Sequence, residues 1–224
     1  MNFAPMVNCL DNGGGAAAVE ILGATFSYGG RPLLVGLHER IARGEHVAVT
    51  GASGSGKSTL LESFVGLTRP DTGRIKVLGR NVDAEHVGWI RTQVAWMPQH
   101  VEYPYATVKE MLQAPYRWKV NRRLRPDWEA MGEAANALGL PPSILSAKLS
   151  QLSGGERQRL EIIATLSLGR CLVLMDEPTS ALDPASIDLL IKYLQGFQSS
   201  TVVAVSHNQH FAQRMDRIIN ITKF

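Results

Sequence analysis

From Gly51 to Ser58 the chain reads Gly-Ala-Ser-Gly-Ser-Gly-Lys-Ser, a spacing suited to wrapping backbone N–H groups around a phosphate chain. Gly51, Gly54 and Gly56 permit backbone angles that other residues avoid, Lys57 brings charge to the β- and γ-phosphates, and the Ser58 hydroxyl can ligate Mg²⁺. Ser53, Ser55 and Thr59 fall within or directly after this loop and count with the phosphate-binding residues. A flexible Ser/Gly loop would share the composition, but not the setting. Residues 46–50 read as a short buried strand, and residues 57–67 as a helix whose positive N-terminus faces the phosphates. Strand, loop and helix in that order make nucleotide binding the expected function.

Three further segments carry chemistry. In Leu152-Ser-Gly-Gly-Glu-Arg-Gln-Arg159, Ser153 and Glu156 have the spacing of a capping box that opens a helix running to about Leu168, with Gly169 as its stop. The same exposed helix end, with Ser153, Gly154 and Gly155, is a second anion site in a chain that already holds one. Leu172-Val-Leu-Met-Asp176-Glu177 puts two carboxylates at the C-terminal end of a buried strand, where open α/β sheets place their ligands. Asp176 suits Mg²⁺, and Glu177 can orient and polarise an attacking water. His207 ends the strand-like run 202–206, where its imidazole could reach a γ-phosphate; the other five histidines read as surface residues.

The elements that must position these groups alternate. Strand-like runs at 19–28, 46–50, 74–78 and 93–97 give way to helical signals over 107–148, and then to strand 171–175, helix 184–198, strand 201–205, helix 209–215 and strand 217–221. A helical insertion thus separates two β-containing stretches, and the later alternation predicts a mostly parallel sheet with helices on its faces. The 224 residues, 45% of them hydrophobic, suffice for one domain with an inserted subdomain. No run is long and apolar enough to span a membrane, and no secretory signal is recognisable. The two cysteines, Cys9 and Cys171, match no zinc spacing and read as reduced thiols. A net charge of +3 is too small to imply nucleic-acid binding, and Arg117, Lys119, Arg122, Arg123 and Arg125 read as a solvated basic face.

Taken together, residues 51–58, 152–156 and 172–177 resemble the ATPase subunit of an ABC transporter, and the resemblance covers essentially all of residues 19–224. It implies an α/β P-loop NTPase of the ABC ATPase type, with a mostly parallel sheet core, an antiparallel β subdomain and an α-helical subdomain inserted at about 100–169, after a disordered tail at 1–18. It implies ATP and Mg²⁺ as ligands and a homodimer that sandwiches two ATP molecules. Ser153, Gly154 and Gly155 would then contact the γ-phosphate held by the opposite subunit, with Glu156 replacing a more usual Gln.

By the same resemblance Glu177 is the catalytic acid, assisted by His207, Lys57 and Gln99. Gln99 would sense Mg²⁺ and the attacking water, alongside Ser58 and Asp176 as metal ligands. Tyr28 would stack on adenine, or be a simple strand-end tyrosine. Asp183, in Ser180-Ala-Leu-Asp183, would link the two sites across the dimer, or simply cap the helix begun by Pro184. The implied partner is an integral membrane permease subunit, with this chain peripheral on the cytoplasmic face, spanning nothing and binding no nucleic acid. Tyr103, Tyr105, Tyr116 and Trp118 would anchor a cytoplasmic helix of that permease, or fill the core of the helical subdomain. Residues 114–122, 138–140 and 144–145 resemble small bacterial cassettes linked to iron export and metal tolerance; a soluble ABC-type ATPase of an assembly complex, such as iron–sulfur assembly, is the alternative. Asn208 stands where Asp is usual and Ala164 where many relatives carry Arg.

Overall fold

The computed structural model describes residues 17–99, 104–197 and 200–222. Nine strands and seven α-helices are found among them. The first half contains β1 (Ala17–Tyr28), β2 (Arg31–Ala42), β3 (His46–Gly51), α1 (Lys57–Phe64), β4 (Thr72–Val77), β5 (Arg80–Asn81), α2 (Val87–Gln93) and β6 (Val94–Met97). Then come α3 (Val108–Arg117), α4 (Trp128–Ala137), α5 (Gly154–Leu166), β7 (Leu172–Asp176), α6 (Pro184–Gln195), β8 (Thr201–Val205), α7 (Gln209–Ala212) and β9 (Arg217–Ile221). Short 3-10 turns punctuate the helical stretch between β6 and β7.

Two sheets result. β1, β2, β4 and β5 form an antiparallel sheet in the order β2-β1-β4-β5, and the other five strands form a parallel one in the order β6-β7-β8-β3-β9. The central parallel strands β7 and β8 are buried on both faces, as is most of β3, which is why they read as continuous apolar runs, whereas the edge strand β9 exposes Ile218 and Asn220. Their side chains alternate between two cores. Ala48, Val173, Met175, Val202 and Ala204 face a cluster built with α3 to α7, whereas Val47, Val49, Leu172, Leu174, Val203 and Val205 face one shared with α1 and the antiparallel sheet. The parallel sheet is therefore the spine, and its register collects the C-terminal ends of its strands along one edge.

Differences from the expected elements have local causes. Strand β2 was not expected: only Leu34 and Ile41 of its twelve residues are buried, and bulges in its pairing with β1 break the period-two pattern. Helix α2 was missed for a similar reason, because Ile90 alone is buried. Helix α1 stops at Phe64, short of Leu67, because Val65 leaves helical dihedrals. Strand β1 begins two residues before the run read from Val19. Two other expectations fail. His46 is buried, with Nε2 3.2 Å from the Phe197 carbonyl, and Cys171 is disulfide-bonded rather than a free thiol.

Candidate active site

The phosphate loop joins β3 to α1. Gly51, Gly54 and Gly56 all have positive φ (149°, 71° and 94°), and a Cβ on Gly51 would come within 2.3 Å of the Ile221 carbonyl oxygen. Glycine is therefore required sterically at the point where the loop leaves the sheet. Inside the loop the buried Lys57 ammonium donates to the carbonyls of Gly51 at 3.0 Å and Ala52 at 2.8 Å. The cation is thus centred beneath the turn. The fully buried Ser55 Oγ has no hydrogen-bond partner among the described residues. Ser58 and Thr59 follow in the first turn of α1, both partly exposed, while Ser53 and Gly54 face solvent.

The tip of the β1–β2 hairpin comes near this loop. A Cβ on Gly56 would sit 2.9 Å from the Leu33 side chain and 3.1 Å from that of Leu34, and Leu34 pairs with Phe26 in β1. Tyr28, two residues beyond Phe26, is 83% exposed at the hairpin tip. Its ring has an open face for a planar ligand.

On the sheet edge, Met97 pairs with Met175, and Asp176 with Val205. Asp176, Glu177, His207 and the exposed Gln99 consequently follow one another along the ends of β7, β8 and β6. Glu177 adopts φ 56°, a left-handed conformation that costs a non-glycine residue about 1–2 kcal/mol. Its N–H is held by the Val205 carbonyl at 3.0 Å. The carboxylate accepts the His207 N–H at 3.3 Å and lies 3.3 Å from His207 Nε2. Burial pushes its pKa above the ordinary carboxylate value, opposed by the His207 charge and hydrogen bond. Asn208 caps α7, accepting the Phe211 N–H at 2.9 Å, so the residue in place of the usual Asp has a structural task.

The second candidate anion site is the start of α5. The capping box is complete: Ser153 Oγ accepts the Glu156 N–H at 3.2 Å, and the Glu156 carboxylate accepts the Ser153 N–H and Oγ–H, each at 2.9 Å. Those hydrogen bonds hold Glu156 below the usual carboxylate range. Gly155 packs so closely on the loop after β7 that a Cβ would lie 2.9 Å from the Ala181 carbonyl oxygen. Asp183 caps α6, taking the Ser186 N–H at 2.7 Å, which lowers its pKa.

One residue of this region was not singled out from the sequence. The buried Gln158 amide donates to the Glu177 carbonyl at 2.8 Å and to Ser180 Oγ at 3.0 Å, and its oxygen accepts the Ala181 N–H at 2.8 Å. Three hydrogen bonds therefore fasten α5 to the loop carrying Glu177 and Asp183. Its place on α5, two residues after Glu156, gave no sign of this, because the partners come from a loop 19 or more residues away. Removing three buried hydrogen bonds costs on the order of 2–4 kcal/mol. Gln158→Ala should accordingly lower Tm by roughly 5–15 °C in a chain of this size, and a differential-scanning melt that stays within a degree of the parent would refute the fastening role.

Beside Gln99 a cavity of about 580 Å³ opens between the parallel sheet and the helical stretch, bordered by Leu67, Trp96, Tyr105, Trp118, Val120 and Glu161. Burial raises the Glu161 pKa to about 7 against the pull of Arg157. Ala164 also lines it. The proposed aromatic anchors divide here. Tyr105 and the 58% exposed Trp118 border the cavity, whereas Tyr116 is a core residue, 8% exposed, whose hydroxyl donates to Ser167 at 3.0 Å. Tyr103 lies outside the described residues.

The sequence model of the ABC transporter family matches residues 34–180, from β2 through the phosphate loop to the end of the carboxylate loop. The chain belongs to this family. YjkB of Bacillus subtilis, an ABC transporter ATP-binding protein by its description, is 38% identical over 178 residues, which are 78% of this chain and 69% of YjkB. The lipoprotein-releasing system ATP-binding protein LolD of Anaeromyxobacter dehalogenans is 35% identical over 199 residues, 85% of this chain and 82% of LolD. Among solved structures, the dimeric post-hydrolysis ATP-binding cassette MJ0796, bound to ADP and Pi, superposes with a TM-score of 0.74 at 27% identity, covering 91% of this chain and 94% of that one. The ABC ATPase is thus recognisable in both sequence and fold, and the chain is an ATP-binding, ATP-hydrolysing domain of this family.

Proposed function

We propose that this ABC ATPase powers a separate membrane subunit by ATP-driven closure of a dimer of nucleotide-binding domains. The observation that carries the reading is that α5, whose N-terminus is the second candidate anion site, is tied through Gln158 to the backbone carbonyl of Glu177 and to Ser180 and Ala181, in the loop that leaves the sheet edge. In this reading Gly51, Ser53, Gly54, Ser55, Gly56, Lys57, Ser58 and Thr59 hold the phosphates of ATP, and Tyr28 stacks on adenine. Ser153, Gly154 and Gly155 complete the site of the opposite subunit. The cassette MJ0796, dimeric with ADP and Pi bound, supports such a pairing. The helical stretch at about 100–169 acts as a subdomain on the phosphate-binding core; of the tail expected at 1–18, Ala17 and Ala18 instead belong to β1, with Ala18 buried in the core, and the rest lies outside the described residues.

Mg²⁺ fits the donor set. Ser58, Asp176 and Gln99 offer oxygen, and among the described residues no three His, Cys, Asp or Glu side chains gather as ligands. One carboxylate completed by phosphate and water suits Mg²⁺. When bound, the ion would neutralise charge on the phosphates. The chain's own residues do the rest. Lys57 holds the phosphates by charge, Glu177 orients the attacking water and accepts its proton, and His207 keeps the Glu177 carboxylate in place from 3.3 Å while reaching the γ-phosphate. Asp183 fixes the start of α6 and with it the loop that faces the partner.

No described helix is long and apolar enough to cross a membrane. In this reading a membrane partner anchors the chain at the cytoplasmic face, its helix lying in the cavity between Tyr105 and Trp118. That geometry favours a transporter over a soluble assembly ATPase. Cargo belongs to the membrane subunit, and the relatives' names span energy-coupling factor transport, lipoprotein release and cytochrome c biogenesis; the iron- or metal-export reading rests on residues 114–122, 138–140 and 144–145 alone. Tyr105→Ala should leave ATP hydrolysis of the isolated chain within about twofold and cut co-purification with the membrane subunit roughly tenfold or more, the usual effect of losing a hot-spot aromatic. Unimpaired co-purification would move the docking surface elsewhere. The parent chain's failure to hydrolyse ATP at all would end the enzymatic reading.

A further inference from the structure

The cations between Arg117 and Arg125 take no part in the ATP site, and of this segment only Trp118, Val120 and Asn121 border the groove assigned above to the partner's helix. The segment carries Arg117, Lys119, Arg122, Arg123 and Arg125, all exposed, within a stretch free of acids between Glu110 and Asp127. Among the described residues none of the five enters an ion pair; only Arg117 is recorded in the field of a carboxylate, that of Glu110. Five like charges on nine residues repel one another; Arg117 donates to Gln113 Oε1 at 3.1 Å and Arg125 to the carbonyls of Arg122 and Leu124 at 2.9 and 3.0 Å, but none is neutralised by an ion pair among the described residues. The basic run is also interleaved with apolar groups that face solvent, Trp118 at 58% and Val120 at 46% exposure.

The fold holds this display in place from beneath. The 3-10 turn Lys119–Asn121 is pinned by Asn121, whose amide donates to the Pro115 carbonyl at 2.9 Å and whose side-chain oxygen accepts from the buried Arg170. Asn121 is itself buried. With its one inward residue fixed, the turn sends Trp118 and Val120 outward, and both border the cavity that also reaches Leu67 and Tyr105. Basic charge, an exposed indole and an apolar groove thus form one continuous surface.

We propose that residues 117–125 bind an anionic lipid surface, the five cations meeting headgroup phosphates and Trp118 and Val120 entering the interfacial layer. Lysine and arginine near an anionic leaflet each add attraction that falls off within a Debye length, and tryptophan favours the headgroup level. Nucleic acid is the less fitting occupant, because the apolar members lead into a groove rather than along a basic track. The orientation toward the bilayer rests on the reading that the groove receives a membrane subunit; the lipid chemistry of the patch does not. The patch would hold the ATPase against the bilayer beside its permease and supply the second contact that a peripheral subunit uses.

The purified chain can be sedimented with vesicles of pure phosphatidylcholine and with equimolar phosphatidylcholine–phosphatidylglycerol. The expected result at low salt is binding to the anionic vesicles at least about tenfold tighter than to the neutral ones, with the difference disappearing at high salt. Combined Arg122→Ala, Arg123→Ala and Arg125→Ala should weaken anionic-vesicle binding about a hundredfold while basal ATP hydrolysis is unchanged. Equal binding to both vesicles, or no loss in the triple variant, overturns the proposal. So does tighter binding of a labelled single-stranded RNA that the same substitutions abolish, which would assign the patch to nucleic acid. Tyr105→Ala separates the two readings: a groove that fails to hold the permease leaves vesicle binding intact, and a patch that fails to bind lipid leaves co-purification intact.

Discussion

Replacing Glu177 by Gln should reduce steady-state ATP hydrolysis by about 10²–10³-fold while ATP binding persists, the range expected when a positioned general base is lost. The substitution keeps the side chain's size and a hydrogen-bonding oxygen for the His207 N–H, 3.3 Å away in the parent, but replaces the basic carboxylate by an amide too weakly basic to accept a proton from water. The ATP-bound dimer should therefore accumulate and elute as a dimer on size exclusion in ATP. In the parent, burial raises the Glu177 pKa. A base must be ionised to act, so lowering the pH through that raised pKa should extinguish kcat. The acid limb of the profile should lie above the ordinary carboxylate value of 4.5 and vanish from the residual activity of Glu177→Gln. Parental hydrolysis by Glu177→Gln would sink the assignment.

The left-handed backbone at Glu177 shows what the sequence could and could not announce. A buried apolar strand ending in two acids was legible, because continuous burial on both sheet faces leaves an unbroken Leu-Val-Leu-Met run. The phosphate loop was legible for a related reason, since glycine spacing records the steric demands of the backbone itself. The start of α5 was equally so, because a capping box is a local device whose two partners lie three residues apart. What stayed hidden depended on distant partners. Gln158 looks like any polar helix residue until the loop at 177–181 is folded onto it. Tyr116 and Trp118 are neighbours of similar character in sequence, yet one donates its hydroxyl to Ser167 in the core and the other faces solvent at the groove. Half-exposed β2 was hidden because burial, the source of the periodic signal, is mostly absent from it.

Ser153→Arg should leave binding of ATP to the monomer near the parental affinity and bring hydrolysis down at least about a hundredfold. The argument begins with the hydrogen bonds at the start of α5. In the isolated chain the Ser153 N–H and hydroxyl are both engaged by Glu156, and among the described residues no hydrogen bond joins residues 153–156 to residues 51–59. In the proposed reading the subunit's own nucleotide sits on the phosphate loop and leaves these donors to another subunit. A γ-phosphate presented by a second subunit would compete with Glu156 for those donors, helped by the positive end of a thirteen-residue helix. An arginine adds charge that would attract the phosphate, but its bulk stands where the two subunits close, and it removes the Oγ cap, worth about 1 kcal/mol to the helix. Steric exclusion should win, because closure brings the phosphate against the helix end itself. Ser153→Ala isolates the cap, and its loss of activity should be much the smaller of the two. Equilibrium dialysis of Ser153→Arg against labelled ATP, made in the Glu177→Gln background so that turnover does not confuse the measurement, should give a monomer Kd within about threefold of its control, with no dimer peak. A parallel loss of monomer affinity would mean that Ser153 serves its own subunit's nucleotide and that the sandwich is wrong.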